Sequence, residues 1–475
     1  MNRRLRLAPA ALIATCALVA VACGQKAGVH VASGGVTRNA AGQTVDASGN
    51  VIDNGTGGTG AGTATGGSPS GGTSGGTSTG GATSSGSTSG GSTSGGGGGA
   101  AAGGAANRTG VTDTEIVIGI HAPATGAGAP APSFNAGKDV YFNFAGPVNG
   151  RKVRVVFADD GYNPGQAVSA CKKLVQVDHV FMLLGGGGTD QIVACAQYAA
   201  SVGVPYMAEG VTEQGLSKLP SYFALAMSYK QQGTLLAQYI KNVLHKTKVA
   251  MVRGNTANFE DAHSGFVQAA QAAGLTMVKD LSINKDASPA EATNAAQQVC
   301  TSVAPGTSPD LVVYPLMSPK VFIQFAGAAS QQQCFPRYAG VGVTLGLNVV
   351  AQALCPTNAF KTGASFFSPA QGLDATDPDY VPAYKKQNGA SSDPDDIGYL
   401  LWGADKLIYS MFKAAGRDLS RQSLVAAVNG HQFSTGVYPT VNYARGPFGG
   451  TAVQVLLANC GKNKYDTQFQ NRASF

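Results

Sequence analysis

The sequence predicts an α/β protein in which two doubly wound parallel-sheet lobes follow a disordered linker. From about residue 111 to about residue 460, short apolar segments alternate with amphipathic segments of helical length. The short segments are apolar throughout, which is typical of parallel strands that helices cover on both faces. Because there are too many such units for one compact sheet, the pattern favours two lobes.

The predicted elements form two runs along the chain. In the first run the predicted strands are 115–120, 152–158, 179–185 and 205–209, and the predicted helices are 135–145, 165–177 and 189–202. In the second run the predicted strands are 248–254, 275–283 and 310–316, and the predicted helices are 230–245, 259–273, 289–302 and 319–330. A further helix is predicted over 397–415, where apolar positions place the single tryptophan, Trp402, in a core.

The first 22 residues have the features of an export signal. Three arginines lie among the first six residues, and an apolar run over 12–22 ends in small residues. That run is shorter than the ~20 apolar residues that span a membrane. Its end, Leu18-Val19-Ala20-Val21-Ala22-Cys23, resembles the lipobox of bacterial lipoproteins, which implies acylation of Cys23. The alternative is ordinary cleavage after Ala22, which would leave a free secreted protein.

Residues 23–110 are predicted to be a lipid anchor and a flexible linker. Over 55–106 the chain consists of Gly, Ser, Thr and Ala with one proline, Pro69. Such a segment cannot bury enough apolar surface to fold, and its r.m.s. span is roughly 40 Å. The net charge of +7 includes the three arginines of the predicted signal, and the rest is too dispersed to predict nucleic-acid binding.

The cysteines predict disulfides. Two of the eight fall in the predicted signal and lipid site, and an even number in the rest of an exported chain favours disulfide bonds, with buried free thiols as the alternative. Cys171 and Cys195 lie on successive helices on either side of one predicted strand, as do Cys300 and Cys334. Right-handed crossovers place such helices side by side on one face of the sheet, so these cysteines can pair, which leaves Cys355 with Cys460. The predicted pairs are Cys171–Cys195, Cys300–Cys334 and Cys355–Cys460. No C-x-x-C spacing or histidine pattern accompanies them, so no metal site is predicted.

Five short segments carry a resemblance to a known family. They are Ile116-Val117-Ile118-Gly119-Ile120, Val148-Asn149-Gly150-Arg151-Lys152, Asp159-Asp160-Gly161-Tyr162-Asn163-Pro164, Lys173-Leu174-Val175 and Val202-Gly203-Val204-Pro205. From Thr114 to about Cys460 the chain resembles the branched-chain amino-acid-binding family of ABC-transporter solute receptors, which have the type I periplasmic binding fold. The resemblance implies a solute-binding domain over 111–475 with a three-strand hinge and a ligand cleft. It places lobe 1 at about 111–227 and 357–437, and lobe 2 at about 228–356 and 438–475.

A binding site is expected after predicted strand 179–185. In open α/β sheets, ligands bind beyond the carboxyl ends of the strands. Four glycines, Gly185 to Gly188, follow here, and a predicted helix begins at Thr189. Glycines let a ligand approach the backbone, and a helix N-terminus favours an anion. No Lys-Ser/Thr follows the glycines, so this is not a nucleotide loop.

The resemblance also implies roles for individual residues. Thr189 and Thr212 occupy the positions that hold the ligand carboxylate, although Thr189 has the alternative role of a simple helix cap. Gly188 and Gly210 offer backbone groups nearby. The chain departs from the family at Gly342, where receptors for α-amino acids carry a Glu for the ammonium group. The resemblance therefore implies a small carboxylate, and an amino group on the solute is not required.

Further candidate ligand contacts lie at strand ends or lobe crossings. They are His121, Tyr229, Phe259 (in place of a frequent Tyr) and Met317, with Tyr314 and Thr344 as additional possibilities. For His121 the alternative is packing at the base of its loop. For the aromatic residues the alternative is hinge packing.

The sequence predicts a receptor and no enzyme activity. Asp159 and Asp160 are consecutive on an extended chain and so point apart, which argues against an acid–base pair. No cofactor is expected. The resemblance implies a lipid-anchored, extracytoplasmic monomer that hands a small solute to an ABC permease. The alternative is a ligand-sensing domain that acts with a separate signalling partner.

Overall fold

The computed structural model describes residues 37–38, 44–45, 106–126, 133–341 and 346–475. The chain forms two units, residues 1–96 and residues 97–475. In the first unit the described residues form one antiparallel pair, β1 (Thr37–Arg38) with β2 (Thr44–Val45). The predicted signal peptide, Cys23 and nearly all of the predicted linker lie outside the described residues. In the part of the chain that is described, no helix is long and apolar enough to cross a membrane.

The first lobe contains a five-stranded parallel sheet. Its elements are β3 (Glu115–Ala122), α1 (Ser133–Gly137), α2 (Val140–Ala145), β4 (Lys152–Asp159), α3 (Pro164–Gln176), β5 (Met182–Gly185), α4 (Thr189–Ser201), β6 (Tyr206–Ala208) and β7 (Tyr222–Ala224). The strand order is β4-β3-β5-β6-β7. All residues of β5, β6 and β7 are buried, as their apolar sequences predict. The strand predicted to begin at 179 begins three residues later, because His179 has a left-handed φ of 50° that a strand does not accommodate.

The second lobe contains a larger sheet whose first five strands are parallel. Its elements are α5 (Tyr229–Asn242), β8 (Lys248–Gly254), α6 (Glu260–Ala272), β9 (Thr276–Ile283), α7 (Pro289–Cys300), β10 (Leu311–Leu316), α8 (Pro319–Gln331), β11 (Arg337–Gly340), α9 (Leu347–Leu354) and β12 (Ala364–Ser368). These strands lie in the order β12-β11-β10-β8-β9. Side chains of α5 and α6 share a core with Val312 and Tyr314 of β10, whereas those of α7 and α8 share a core with Leu311 and Val313. The two helix pairs therefore cover opposite faces, since successive strand residues point to opposite sides.

The chain then returns to each lobe once more. The elements that return to the first lobe are α10 (Tyr380–Asn388), α11 (Asp396–Ala415), α12 (Arg421–Val428), β13 (Gln432–Phe433) and β14 (Val441–Asn442). Trp402 and Val441 from this segment lie in the same core as Ile118 and Met182. The last two strands, β15 (Val453–Asn459) and β16 (Lys464–Arg472), rejoin the second sheet in antiparallel orientation beside β12.

The two parallel-sheet lobes agree with the predicted fold class, but two lobe boundaries differ from the expected ones. The boundary expected at 357 falls before β12, and β12 belongs to the second sheet because Tyr338 of β11 pairs with Ala364. The boundary expected at 437 falls before β14, whose Val441 packs in the first lobe. The second crossing therefore follows β12 and the third precedes β15. The antiparallel pair β15–β16 was not among the predicted elements.

Several helices begin with the same local signal, a polar cap followed by proline. Asn163, Ser288 and Ser318 cap α3, α7 and α8, and each accepts a hydrogen bond from the backbone N–H three residues later, at 3.0, 3.2 and 3.4 Å. Proline occupies the first helical position in all three. The cap satisfies a free N–H group, and proline at this position needs none, so both residues favour a helix start.

Three disulfide bonds join the cysteine pairs that the sequence predicts. Cys171–Cys195 connects α3 with α4 in the first lobe. Cys300–Cys334 and Cys355–Cys460 lie in the second lobe. Each bond therefore joins two segments of one lobe.

Asp405 of α11 is buried in the first lobe, and among the described residues no hydrogen bond offsets the burial of its carboxylate. Its residue is 0% exposed, and neither carboxylate oxygen has a hydrogen-bond partner among the described residues. Burial raises its pKa well above the usual range; the charge of Asp139 acts in the same direction and Lys138 opposes it. Burial is the main cause of the raised pKa values of Tyr141 and Tyr438, and the charge of Asp405 is one of the smaller causes for both. The fold therefore favours the neutral acid.

We expect Asp405 to make stability depend on pH. Its pKa in the unfolded chain is about 3.9, so above that value the unfolded state releases the proton more readily than the folded state. Stability should thus fall as pH rises toward the raised pKa. Relative to Asp405→Asn, the wild-type free energy of unfolding should decrease steadily as the pH rises above about 4. Urea denaturation measures this, with Asp418→Asn as the control because that side chain is 98% exposed. Parallel pH profiles for wild type and Asp405→Asn would contradict it.

Candidate functional site

The glycine loop after β5 is shaped by close packing as well as by backbone conformation. Gly187 and Gly188 have left-handed φ angles of 66° and 100°, which glycine adopts without strain. A Cβ atom at Gly186 would lie 2.6 Å from the Phe134 ring, and one at Gly188 would lie 2.9 Å from the Tyr162 ring. Protein side chains therefore already occupy the space beside these glycines. Close packing alone requires glycine at these positions, in addition to any role in letting a ligand approach the backbone.

Thr189 is the first residue of α4 and is 5% exposed. The helix cap is Gly188, which has no side chain, so Thr189 does not have the capping role that the sequence left open. Its hydroxyl lies close enough to the hydroxyl of Tyr229, the first residue of α5, to lower the pKa of that tyrosine. Two predicted site residues thus meet where the lobes join.

Tyr162, Tyr229 and Tyr314 share one buried environment, called the interlobe tyrosine cluster below. Burial raises the pKa of Tyr229 well above its usual range, the charge of Glu209 acts in the same direction, and the nearby Thr189 hydroxyl opposes it. The other two tyrosines raise the pKa of Tyr229 further. The Phe259 ring lies beside the cluster, 6.5 Å from that of Tyr229 between centroids.

Asp190 links the lobes directly beside Thr189. Its Oδ1 accepts hydrogen bonds from Thr256 Oγ1 and Asn258 Nδ2, both at 2.6 Å, and its Oδ2 lies 2.8 Å from Lys285 Nζ. Burial alone would raise the pKa of Asp190, but the charge and hydrogen bond of Lys285 and the bonds from Thr256 and Asn258 lower it overall. The Lys285 ammonium also lies 4.6 Å from the Tyr162 ring centroid. Asp190, Thr256, Asn258 and Lys285 are together called the Asp190 clasp below.

A second carboxylate, Asp396, also connects the lobes. It is the first residue of α11 and accepts hydrogen bonds from the backbone N–H groups of Leu347 (2.8 Å) and Asn348 (3.4 Å) at the start of α9. Burial, followed by the nearby Asp395 charge, raises the pKa of Asp396 to about 7. A helix N-terminus stabilises negative charge, which partly offsets this rise.

Thr212 and Gly210 lie against the first lobe crossing. Thr212 is fully buried, and its Oγ1 accepts a hydrogen bond from the backbone of Gln214 at 3.2 Å. A Cβ atom at Gly210 would lie 2.0 Å from the carbonyl oxygen of Met227, so only glycine fits there. The neighbouring Glu213 N–H donates to Asp261 Oδ2 at 2.5 Å, across the lobes.

His121 lies inside the first lobe, away from Tyr229. It is fully buried; its Nδ1 lies 2.9 Å from Asp160 Oδ2, and its Nε2 lies 2.7 Å from Tyr206 Oη. Both ring nitrogens are therefore engaged, which favours the packing role for this residue. Asp159 instead accepts a hydrogen bond from Thr125 Oγ1 at 2.6 Å, so the two consecutive carboxylates point apart as predicted.

His121 also lies near two sulfur atoms, but this group does not form a metal site. Its ring nitrogen and the sulfurs of Cys171 and Cys195 lie within 4.8 Å of one another. The sulfurs are bonded to each other in a disulfide, so they are not available as thiolate ligands.

The remaining predicted site residues are separated from this group. Met317 is 2% exposed and belongs to the core on the α7–α8 side of the second sheet, whereas Tyr314 belongs to the α5–α6 side. Gly342 and Thr344 lie outside the described residues. The sequence reasoning missed the roles of Asp190, Asp261 and Lys285. An acid in the first turn of a helix is common, so Asp190 gave no signal of a partner in the other lobe.

The comparison with protein families gives one match that covers most of the chain. Residues 115–458 match the profile of a family described as periplasmic binding protein. An amino acid binding protein of Pseudomonas aeruginosa is 32% identical over 149 residues, which is 29% of this chain and 38% of that protein. The Leu/Ile/Val-binding protein homolog 1 of Brucella melitensis is 28% identical over 30% of this chain and 40% of its own length. The matches to these two relatives thus span about two fifths of their lengths.

Three solved structures share the fold. A fatty acid ABC transporter substrate-binding protein from Thermomonospora curvata has a TM-score of 0.64 at 20% identity, covering 78% of this chain and 95% of its own. An R. palustris solute binding protein in complex with benzoate has a TM-score of 0.60 at 19% identity, with coverages of 76% and 99%. The branched-chain amino acid transporter substrate binding protein of Streptococcus pneumoniae in complex with isoleucine has a TM-score of 0.59 at 17% identity, with coverages of 74% and 99%.

Proposed function

Because the chain belongs to the periplasmic binding protein family, we propose that it is the extracytoplasmic solute receptor of an ABC importer. In this proposal the lobes close on a small carboxylate or amino-acid-like solute and then present it to a permease. The observation that carries the proposal is the meeting of the lobes at the N-terminus of α4, where Asp190 bonds to Thr256, Asn258 and Lys285 of the other lobe and Thr189 lies near Tyr229. Hinge closure around a ligand needs such a meeting point.

The carboxylate is the best supported part of the solute. The N-terminus of α4 offers free N–H groups, and the hydroxyl of Thr189 lies on its first turn. Gly342 has no side chain with which to hold an ammonium group. Among the structural neighbours one contains benzoate, which has no amino group, and another contains isoleucine. Both kinds of carboxylate are therefore candidates.

The location is part of the same proposal. Acylation of Cys23 would hold the protein at the outer face of the cell membrane, and the linker over 23–110 would allow the binding domain to reach a permease. Each buried CH₂ of a lipid chain contributes ~0.8 kcal/mol to such anchoring. A monomer suits this delivery, and catalysis has no part in it.

Native mass spectrometry of the purified chain, followed by denaturation and identification of released small molecules, is the direct test. A released carboxylate would support the proposal. A chain that contains no solute and binds no amino acid or small carboxylate in a thermal-shift panel would contradict it.

Thr189→Ala is expected to weaken the affinity for the identified carboxylate about tenfold, because one hydrogen bond to a charged group is lost. Thr212→Ala is expected to act in the same direction if Thr212 has the role that the resemblance implies. Isothermal titration calorimetry measures both effects. The control is Thr293→Ala, an exposed threonine on α7 whose hydroxyl bonds only to its own helix. Equal affinities for Thr189→Ala and Thr293→Ala would contradict the assignment of Thr189.

A further inference from the structure

Two polar atoms of the second lobe lie buried beside Tyr229 without a partner. Tyr314 is 0% exposed, and its hydroxyl has no hydrogen-bond partner among the described residues. The same holds, within those residues, for the buried Oδ1 of Asp261. Buried polar groups are almost always paired in folded proteins, so two unpaired groups in one region need an explanation.

The hydroxyl of Tyr314 and the carboxylate of Asp261 lie in the region where the lobes meet. The Tyr314 ring packs edge-on against Phe266 of α6 at 4.9 Å between centroids, and Asp261 lies in the first turn of the same helix. Burial is the main cause of the raised pKa of Tyr314, and the nearby charge of Asp261 adds to it; Tyr314 in turn adds to the raised pKa of Tyr229, which burial mainly causes. The second oxygen of Asp261 holds the Glu213 N–H of the first lobe at 2.5 Å. The unpaired atoms therefore belong to the region where the second lobe meets the first, which also contains Tyr229.

An unpaired tyrosine hydroxyl alone would not indicate a ligand. Tyr338 of β11 is also fully buried with an unpaired hydroxyl, but it packs against Phe322 on the α7–α8 side of the sheet. Tyr314 differs because an unpaired carboxylate oxygen and the interlobe tyrosine cluster accompany it. This combination of a donor with an acceptor is what a ligand group could satisfy.

The chemistry of the two groups specifies what would pair with both. A carboxylate oxygen accepts hydrogen bonds, and a phenol hydroxyl can donate one. A hydroxyl group both donates and accepts, so it satisfies the two at once, whereas a methyl group satisfies neither. An ammonium group can donate to the carboxylate and to the phenol oxygen, but it leaves the phenol proton without an acceptor, whereas a hydroxyl group satisfies every donor and acceptor.

We propose that Tyr314 and Asp261 form a subsite that binds a hydroxyl group of the solute, and that the solute is therefore a hydroxylated small carboxylate. This inference rests on the proposed function, because it assumes that a carboxylate binds near Thr189. The first lobe would hold the carboxylate and the second lobe would select the hydroxyl group. A site built to hydrogen-bond a hydroxyl discriminates strongly against the analogue that lacks it.

Matched solutes test the subsite on the full chain by isothermal titration calorimetry. One set is 4-methylpentanoate, 2-hydroxy-4-methylpentanoate and leucine, which share a carbon skeleton. The other pair is benzoate and 4-hydroxybenzoate, which place the hydroxyl at the opposite end from the carboxylate. At least one hydroxylated solute is expected to bind about tenfold or more tightly than its partner without the hydroxyl.

Tyr314→Phe removes only the phenol oxygen. It is expected to reduce the affinity for the preferred hydroxylated solute about tenfold and to leave the affinity for its deoxy partner within about twofold. The melting temperature of the ligand-free protein should not fall, because the removed group is unpaired. Asp261→Asn should also reduce the preference for the hydroxyl. The matched control is Tyr338→Phe, which should leave all affinities unchanged.

The outcomes separate this inference from the function on which it rests. Equal affinities for hydroxylated and deoxy solutes, or tighter binding of leucine, would overturn the subsite while leaving a carboxylate receptor. Equal losses for every solute in Tyr314→Phe would overturn it as well. Failure of all five carboxylates to bind would overturn both the subsite and the proposed function.

Discussion

Replacing Cys355 and Cys460 together with serine is expected to lower the free energy of unfolding by about 4–5 kcal/mol. The two cysteines are 105 residues apart, the longest separation among the three disulfides. A crosslink limits the conformations of the unfolded chain, and this effect grows with the length of the closed loop. The bond also ties the end of α9 to the end of β15, which are distant in sequence.

Guanidinium denaturation of the oxidised wild type and the double variant measures this loss. The matched comparison is the Cys171→Ser/Cys195→Ser pair, whose cysteines are only 24 residues apart. That change is expected to cost less, about 3 kcal/mol. A larger loss for the shorter loop would show that native contacts, and not loop length, determine the contribution.

Replacing Asp190 with alanine is expected to weaken solute affinity about 10- to 100-fold. Because the Asp190 clasp joins the lobes, we expect its contacts to stabilise the closed form. The carboxylate and its Lys285 partner are 13% and 19% exposed, so water screens this pair less than a surface pair. Removal of the carboxylate leaves a nearly buried ammonium without its partner, and most of the loss should appear as faster solute release.

Stopped-flow fluorescence follows this release, with Trp402 as the only tryptophan. Asp178→Ala is the control, because Asp178 pairs with Lys173 at 3.0 Å within one lobe. Lys285→Ala should reproduce the loss, and the double variant should lose less than the sum of the two. Tighter binding of an anionic solute by Asp190→Ala would contradict the clasp, because it would mean that repulsion by Asp190 outweighs its bonds across the lobes.

The parallel strands and their helices follow from local sequence patterns, whereas the strands that complete the second sheet, β12, β15 and β16, do not. Continuous apolar runs such as 182–185 and 311–316 predicted central strands because helices cover both faces. The lobe boundaries were harder to predict. Whether β12 belongs to one sheet or the other depends on its pairing with β11, and pairing between distant segments leaves no mark on the strand itself. The same reason applies to β15 and β16.

For the candidate site, the sequence indicates positions but not the side chains that contact them. Thr189 follows a strand end and Tyr229 follows a lobe crossing, and the structure brings them together. His121 was expected to follow the first strand, but it lies within β3, and Asp160 and Tyr206, 39 and 85 residues away, engage its ring. Tyr314 lies within a fully buried strand, where sequence alone does not show which face is next to the other lobe. The roles of these residues therefore depend on side chains from distant parts of the chain, which the sequence alone does not identify.

The three disulfides have a consequence for the thermodynamics of capture. Each of them joins segments within one lobe. Such bonds restrict internal fluctuations of the lobes without restraining the rotation of one lobe against the other. In the proposed closure on a solute, little additional conformational entropy would then be lost inside the lobes, so more of the contact free energy would remain as affinity. The crosslinks would in this way pre-organise two rigid halves whose relative motion stays free.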